Sequence, residues 1–230
     1  MSIAHTFSDE DHVYHVPGAF VWGTSDLISM AGLSSVDGIP SGVLNHASWR
    51  GEQVHLATEY YENGCLDAHS IPDEIVPYFA AYLKFSTDHE VVTVGSLEAS
   101  VVYEFGDDKE VLIGCHIDHR AFVDGKLYTL DKKSCYEYTG AAKRQMLLKW
   151  RMQLESYLTA SEQDEAFWQA AQEMIPGAAD RPMGRMALHL HKTGMYTAYD
   201  FSDIQDERAW ECVVRMALLK QTNGFKSVRG

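Results

Sequence analysis

Asp118, Asp131 and Lys133 are the residues whose types and spacing best suit chemistry. Asp118 closes the apolar, β-branched run VLIGCHID (Val111–Asp118). Asp131 and Lys133 lie in KLYTLDKK (Lys126–Lys133), and the Asp124-Gly125 pair between the two runs is a hairpin turn signal. Side chains alternate along a strand with period two, so Asp131 and Lys133 share one face and Lys132 points to the other. A hairpin that sets Asp118 on the face of Asp131 gathers two carboxylates and an ammonium. Hard oxygen ligands of this kind suit Mg2+ or Mn2+, and the backbone carbonyl of Lys132 can supply a further oxygen. A cation so held binds a phosphate oxygen and activates water. An adjacent Lys133 positions or deprotonates that water and stabilises charge gathering on phosphorus. The chemistry expected is phosphoester hydrolysis.

The elements that must position these groups follow from the flanking sequence. His46 to Asn63 (HASWRGEQVHLATEYYEN) is expected to be a helix ended by Gly64, with His55 and Glu59 on one face. Gly51, one turn before His55, leaves room for close approach of a strand or ligand. The His55 imidazole is an acceptable Mn2+ ligand. Two β-rich runs, VVTVG and LEASVVYEF, follow within Glu90 to Phe105. Glu98 in the second either reaches the site, where it can hold a metal-bound water, or is a solvated strand residue. GDDK (Gly106–Lys109) reads as a turn. Ala141 to about Ala160 is a helix with the core stripe Leu147, Trp150, Leu154 and Leu158, which sets Gln153 and Tyr157 one turn apart on a neighbouring face.

Around this centre, residues 1 to about 20 read as a loose, strand-forming arm with His5, His12 and His15 at the surface. A short helix is expected within Val21–Gly32, capped by Thr24 or Ser25, then a loop over Ser34–Gly42. Ile71-Pro72-Asp73 starts a core helix running to about Asp88, with Ile75, Tyr78, Phe79, Tyr82, Leu83 and Ser86 along its stripe. After residue 160 come a polar-flanked helix, a Pro/Gly-rich loop, and two strands (RMALHLHK, MYTAYDF) joined at Thr193-Gly194. A final helix spans Asp203–Lys220, with Ala209, Trp210, Val213, Met216, Ala217 and Leu219 inward. The expected fold is one α/β domain over 1–230, a mixed central sheet flanked by helices. Its catalytic core lies at about 44–160, and the C-terminal strand pair and helix at about 184–222.

Composition bounds the function. The chain has 230 residues, 46% hydrophobic and 23% charged, enough for a well-buried core. No apolar run approaches the roughly 20 residues needed to span a bilayer. MSIAHTFSDEDHVYHV lacks the basic and apolar regions of a secretory signal, so the cytoplasm is the expected compartment and no membrane contact is expected. The four cysteines form no CxxC pair, which speaks against zinc or an iron–sulfur cluster. A net charge of −14 argues against non-specific nucleic-acid binding through overall charge, while leaving room for a local basic groove.

Five motifs, in order, resemble the PD-(D/E)XK nuclease superfamily, and within it the RecB-like exonuclease branch common in phages. RGEQVH (Arg50–His55) resembles the branch's helical motif ending in a metal-binding His. Glu98 matches an acidic strand residue, and GCHID (Gly114–Asp118) resembles the Gly…Asp motif that supplies a metal ligand. LDKKS (Leu130–Ser134) matches D-x-K-T/S, and QLESY (Gln153–Tyr157) resembles the Q-L-x-x-Y helix motif that contacts DNA. The segment after residue 184 resembles the C-terminal portion of phage members. GCHID is one residue longer than the commoner G-x-I-D form, and Ser134 stands where Thr is frequent.

The resemblance implies a restriction-endonuclease-like core and a Mg2+- or Mn2+-dependent DNA nuclease, with exonuclease action in phage or prophage replication, recombination or repair. It implies metal ligation by His55, Asp118, Asp131 and the Lys132 carbonyl, and catalysis by Lys133, Asp118, Asp131 and Glu98. It implies substrate contacts from Gln153, Tyr157, Arg50 and Ser134. DNA, a single-strand-binding or recombination protein, and further copies of the chain are the partners expected. Two other readings stand beside it: a non-catalytic DNA-binding or assembly protein on the same fold, favoured by the −14 charge, and an RNA-directed nuclease.

Overall fold

The computed structural model describes residues 3–8, 13–34, 38–106 and 111–222. The N-terminal arm forms an antiparallel pair, β1 (Thr6–Ser8) and β2 (Val13–His15), followed by β3 (Val21–Gly23) and α1 (Thr24–Met30). His15 is exposed and His12 lies outside the described residues, but His5 is half-buried, with Nε2 2.7 Å from Ser100 Oγ. Gly23, not Thr24 or Ser25, is the N-cap of α1. Thr24 is instead buried, and its hydroxyl donates to Gly114 O at 3.2 Å and meets Ser156 Oγ at 2.7 Å.

The long helix α2 spans Ser41–Glu62, starting earlier than its apolar pattern indicates, and Gly64 closes it with φ 67°. Its buried residues Arg50, Val54, Ala57 and Thr58 recur at helical spacing, so a largely polar helix still seats one face. A Cβ on Gly51 would meet nothing within 4 Å, so no strand among the described residues makes the close approach for which Gly51 leaves room. Helix α3 (Val76–Asp88) begins after a turn at Pro72 rather than at it, and buries Tyr78, Phe79, Tyr82 and Phe85.

Among the described residues, seven strands and three helices follow. In order they are β4 (Val91–Thr93), β5 (Ala99–Phe105), β6 (Val111–Ile117), β7 (His119–Val123), β8 (Lys126–Lys133), α4 (Gly140–Glu162), α5 (Glu165–Met174), β9 (Gly184–Leu190), β10 (Tyr196–Asp200) and α6 (Glu207–Thr222). They build two mixed sheets, β10-β9-β8-β7-β4 and β3-β6-β5, in which β8–β9 and β3–β6 are parallel. Helices α2 and α3 cover one face, with Val54, Tyr82 and Phe85 against Leu130, Leu188 and Leu190. Helices α1, α4 and α6 pack with Ile113, Ile117 and Ala187. The protein is therefore α/β, with mixed sheets flanked by helices.

The strand arrangement corrects the simple hairpin expected for Val111–Lys133. The Asp124-Gly125 turn, with φ 50° and 78°, joins β8 to β7 and not to β6. The chain passes from one sheet to the other at Asp118, which lies in neither strand. His119 and Arg120 hide β7 in the sequence, because both are buried with partners: His119 Nε2 is 2.9 Å from Thr93 Oγ1, and Arg120 pairs with Asp164 at 2.7 Å. The turn expected over Gly106–Lys109 falls mostly outside the described residues. In α6, Trp210, Val213 and Ala217 are buried as their spacing requires, but Met216 is 47% and Leu219 62% exposed. No helix among the described residues is long and apolar enough to cross a membrane.

Candidate metal centre

Four elements meet at Asp118. Helix α2 supplies His55, the residue before β5 supplies Glu98, the sheet crossover supplies Asp118, and the end of β8 supplies Asp131, Lys132 and Lys133. Asp118 and Asp131 are 5% and 0% exposed. Lys132 N–H donates to Asp118 Oδ2 at 2.9 Å, which fixes the carboxylate against β8.

His55 bridges two sides of the cluster. Its Nε2 stands 3.2 Å from Lys132 O and 3.5 Å from Asp118 Oδ2, while Nδ1 stands 3.1 Å from Glu98 Oε1. Adjacent ligands of an octahedral cation with bonds of about 2.1 Å lie about 3 Å apart. His55 Nε2 is near that distance from both Asp118 Oδ2 and Lys132 O, and the imidazole, carboxylate and carbonyl donor set fits Mn2+ or Mg2+. One ring cannot turn both nitrogens toward one ion. Glu98 on Nδ1 therefore orients His55, the arrangement by which a carboxylate commonly supports a ligating imidazole.

Glu98 is not a strand residue. It precedes β5 with φ 49°, a left-handed conformation uncommon outside glycine, and its N–H donates to Asp118 O at 3.1 Å. Its carboxylate faces three basic groups: His55, His116 Nε2 at 3.3 Å, and the buried Lys132 Nζ at 3.4 Å. Burial opposes its charge, but the His116 and His55 hydrogen bonds and the Lys132 ammonium hold the carboxyl well below the usual range. Burial would lower His55, and the Asp118 and Glu98 carboxylates outweigh it, raising the ring's pKa. Burial, reinforced by Asp131 and Glu98, pushes Asp118 up to about 7, against His55 and Lys133.

The opposite face of β8 carries the second half of the site. Lys132 points toward α2, where Nζ donates to Thr58 Oγ1 at 3.0 Å. Asp131 and Lys133 share the face toward α4, as strand alternation requires. Lys133 Nζ lies 2.6 Å from Asp131 Oδ2 and donates to Gln153 Oε1 at 3.0 Å. Neither buried Asp131 oxygen receives a well-directed hydrogen bond among the described residues, leaving lone pairs for a further positive partner. Burial would lower Lys133, but Asp131 and Asp118 raise it, so its ammonium form is favoured.

No family model matches the chain, and no curated protein matches it. A solved structure titled "Crystal structure of SSO0001" aligns over 93% of this chain and 80% of that one, at 15% identity and a TM-score of 0.41.

Three of the residues expected to touch substrate have other surroundings. Tyr157 is 4% exposed and its hydroxyl accepts from Gln153 Nε2 at 2.7 Å, so it holds the glutamine that holds Lys133. Arg50 is also 4% exposed, and its Nε donates to Ser134 O at 2.8 Å, which ties α2 to the end of β8. Ser134 thus contributes a carbonyl to that link. The sequence reading missed His116 and Thr58. His116 lies two residues before Asp118 and Thr58 three after His55, so strand and helix periodicity offered a signal for both.

Proposed function

We propose that this protein is a divalent-metal-dependent nuclease acting on DNA. The observation that carries the reading is the approach of His55 Nε2 to within 3.2 Å of Lys132 O and 3.5 Å of Asp118 Oδ2, with the Asp131–Lys133 pair on the opposite face of the same strand. The motif order that resembles RecB-like PD-(D/E)XK exonucleases supports it, because those motifs supply His55, Glu98, Asp118, Asp131, Lys132 and Lys133.

A Mg2+ or Mn2+ ion held by His55, Asp118, Asp131 and the Lys132 carbonyl would polarise the scissile phosphate and acidify a water. The chain's own groups do the rest. Lys133, held between Asp131 and Gln153, orients the attacking water and offsets charge on the phosphoryl oxygens. Glu98, gripped by His116 and Lys132, fixes the tautomer and direction of His55. Gln153 and Tyr157 keep the Lys133 ammonium aimed along α4.

The test is digestion of linear DNA, circular DNA and RNA with Mg2+, Mn2+ or chelator. DNA cleavage that requires the metal supports the reading, and cleavage confined to linear DNA supports exonuclease action. Degradation of RNA alone overturns the choice of substrate, and binding of DNA without any cleavage turns the reading into that of a non-catalytic DNA-binding protein.

A further inference from the structure

Beyond Lys133 the chain runs irregularly from Ser134 to Thr139 before α4 begins. Where this segment meets the end of β9, four side chains with metal-ligating atoms gather, none of them used by the centre at Asp118. His189 and His191, two residues apart, turn to the same side. Their ring centroids lie 4.2 Å from each other, and His189 packs edge-on to Trp150 of α4 at 5.6 Å. Cys135 Sγ stands 3.7 Å from His189 Nε2, and Glu137 Oε1 stands 3.5 Å from His191 Nδ1. Cys135, Glu137 and His191 also line a cavity of about 530 Å³, which gives an ion an entry path.

The four donors thus stand as two adjoining pairs, each at the spacing of neighbouring ligands on a tetrahedral ion. With zinc bonds of about 2.3 Å to sulfur and about 2.0 Å to nitrogen or oxygen, sulfur and nitrogen lie about 3.6 Å apart, and nitrogen and oxygen about 3.3 Å. His189 is 2% exposed, and burial lowers its pKa, so the ring is neutral, the form that ligates. The ring is already directed at Cys135, whose carbonyl oxygen is 2.9 Å from Nε2. His191 Nε2 meets Thr197 Oγ1 at 2.9 Å, which leaves Nδ1 on the side of Glu137. Glu137 is 78% exposed on the irregular segment, so rotation of its side chain and of the His191 ring can bring the second pair onto an ion held by the first. A thiolate and a carboxylate together neutralise a divalent cation. The sulfur favours a softer ion than the oxygen-rich Asp118 centre takes.

We propose that Cys135, Glu137, His189 and His191 form a second metal centre, which takes one Zn2+ ion and clamps the segment between β8 and α4 onto β9. On binding, the Cys135 thiol gives its proton to solvent and the sulfur takes the ion in its place. Ser134, next to Cys135, accepts from Arg50 of α2 through its carbonyl, so the clamp also steadies the link between α2 and the end of β8. This centre is independent of the nuclease reading. Its ligands come as Cys-x-Glu and His-x-His, not as the Cys-x-x-Cys pair by which zinc sites are commonly read from sequence.

The experiment titrates the metal-free full chain with Co2+, which stands in for Zn2+ and gives a charge-transfer absorption band when bound to a thiolate. Zn2+ affinity is then read from displacement of that band. Wild type and Cys212→Ser, altered at an exposed cysteine elsewhere, are expected to develop the band with one equivalent of Co2+ and to lose it to Zn2+. Cys135→Ser is expected to abolish the band, and His191→Ala to weaken Zn2+ binding at least about tenfold. Circular dichroism checks the folding of each variant. If Cys135→Ser does not fold, the partly exposed His191 decides through His191→Ala. The proposal is overturned if Co2+ raises no thiolate band in wild type, if the band survives in folded Cys135→Ser, or if His191→Ala binds Zn2+ as tightly as wild type.

Discussion

His55 Nδ1 stands 3.1 Å from Glu98 Oε1, and this contact divides the cluster of His55, Glu98 and Asp118 into a ligand side and a support side. With Nδ1 committed to Glu98, the free direction of the ring is Nε2, toward Asp118 and the Lys132 carbonyl. Glu98→Gln keeps the shape but lets the amide present either end to Nδ1, and it removes the charge opposite His116 and Lys132. Mn2+ affinity measured by calorimetry is expected to fall by about 10- to 100-fold with the fold intact. Affinity equal to wild type would show that Glu98 does not orient the ring.

Acid stability has a specific source in His119. Burial lowers its pKa from 6.5 to about 3. A histidine whose folded value is depressed binds its proton in the unfolded state first. Its stabilising contribution is therefore complete above about 6.5 and is lost progressively as pH falls toward about 3. By pH 5 the loss is about 2 kcal/mol. Urea unfolding at pH 8 and pH 5 should show a smaller pH-dependent drop for His119→Gln than for wild type. Equal drops would place the acid sensitivity elsewhere.

Gly114 serves the N-terminal strand pair. A Cβ there would lie 2.4 Å from the Tyr14 ring, so Gly114→Ala must displace β2 from β6. Thermal unfolding is expected to show a loss of about 1–3 kcal/mol. Tyr14→Ala, which already opens that space, should make the additional Gly114→Ala change nearly silent. Additive losses in the double variant would mean that the two residues do not share the contact.

Much of this centre was readable from residue order. Period two set Asp131 and Lys133 on one face of β8, and helical spacing put Gln153 over Tyr157, where the two now bond. The partition of Val111–Lys133 was hidden, because His119 and Arg120 disguise a buried strand whose charges are satisfied by Thr93 and Asp164, residues far away in the chain. Arg50 and Tyr157 were expected at the substrate through motif resemblance, and their burial on Ser134 O and Gln153 follows from contacts that residue order does not show. The left-handed turn at Glu98 left no mark, since a charged residue in that conformation is held by its surroundings. Met216 and Leu219 fitted an apolar stripe that α6 only partly buries.

The central claim is that the Asp131–Lys133 pair, 2.6 Å apart beside His55 and Asp118, performs metal-dependent hydrolysis of DNA. The most direct measurement is the rate of nucleotide release from linear DNA in Mn2+ by wild-type protein, Asp131→Asn and Lys133→Met, with circular dichroism of each. The account predicts release by wild type, a fall of at least about 100-fold in both variants, and unchanged folding. Release at the wild-type rate by either folded variant would contradict it.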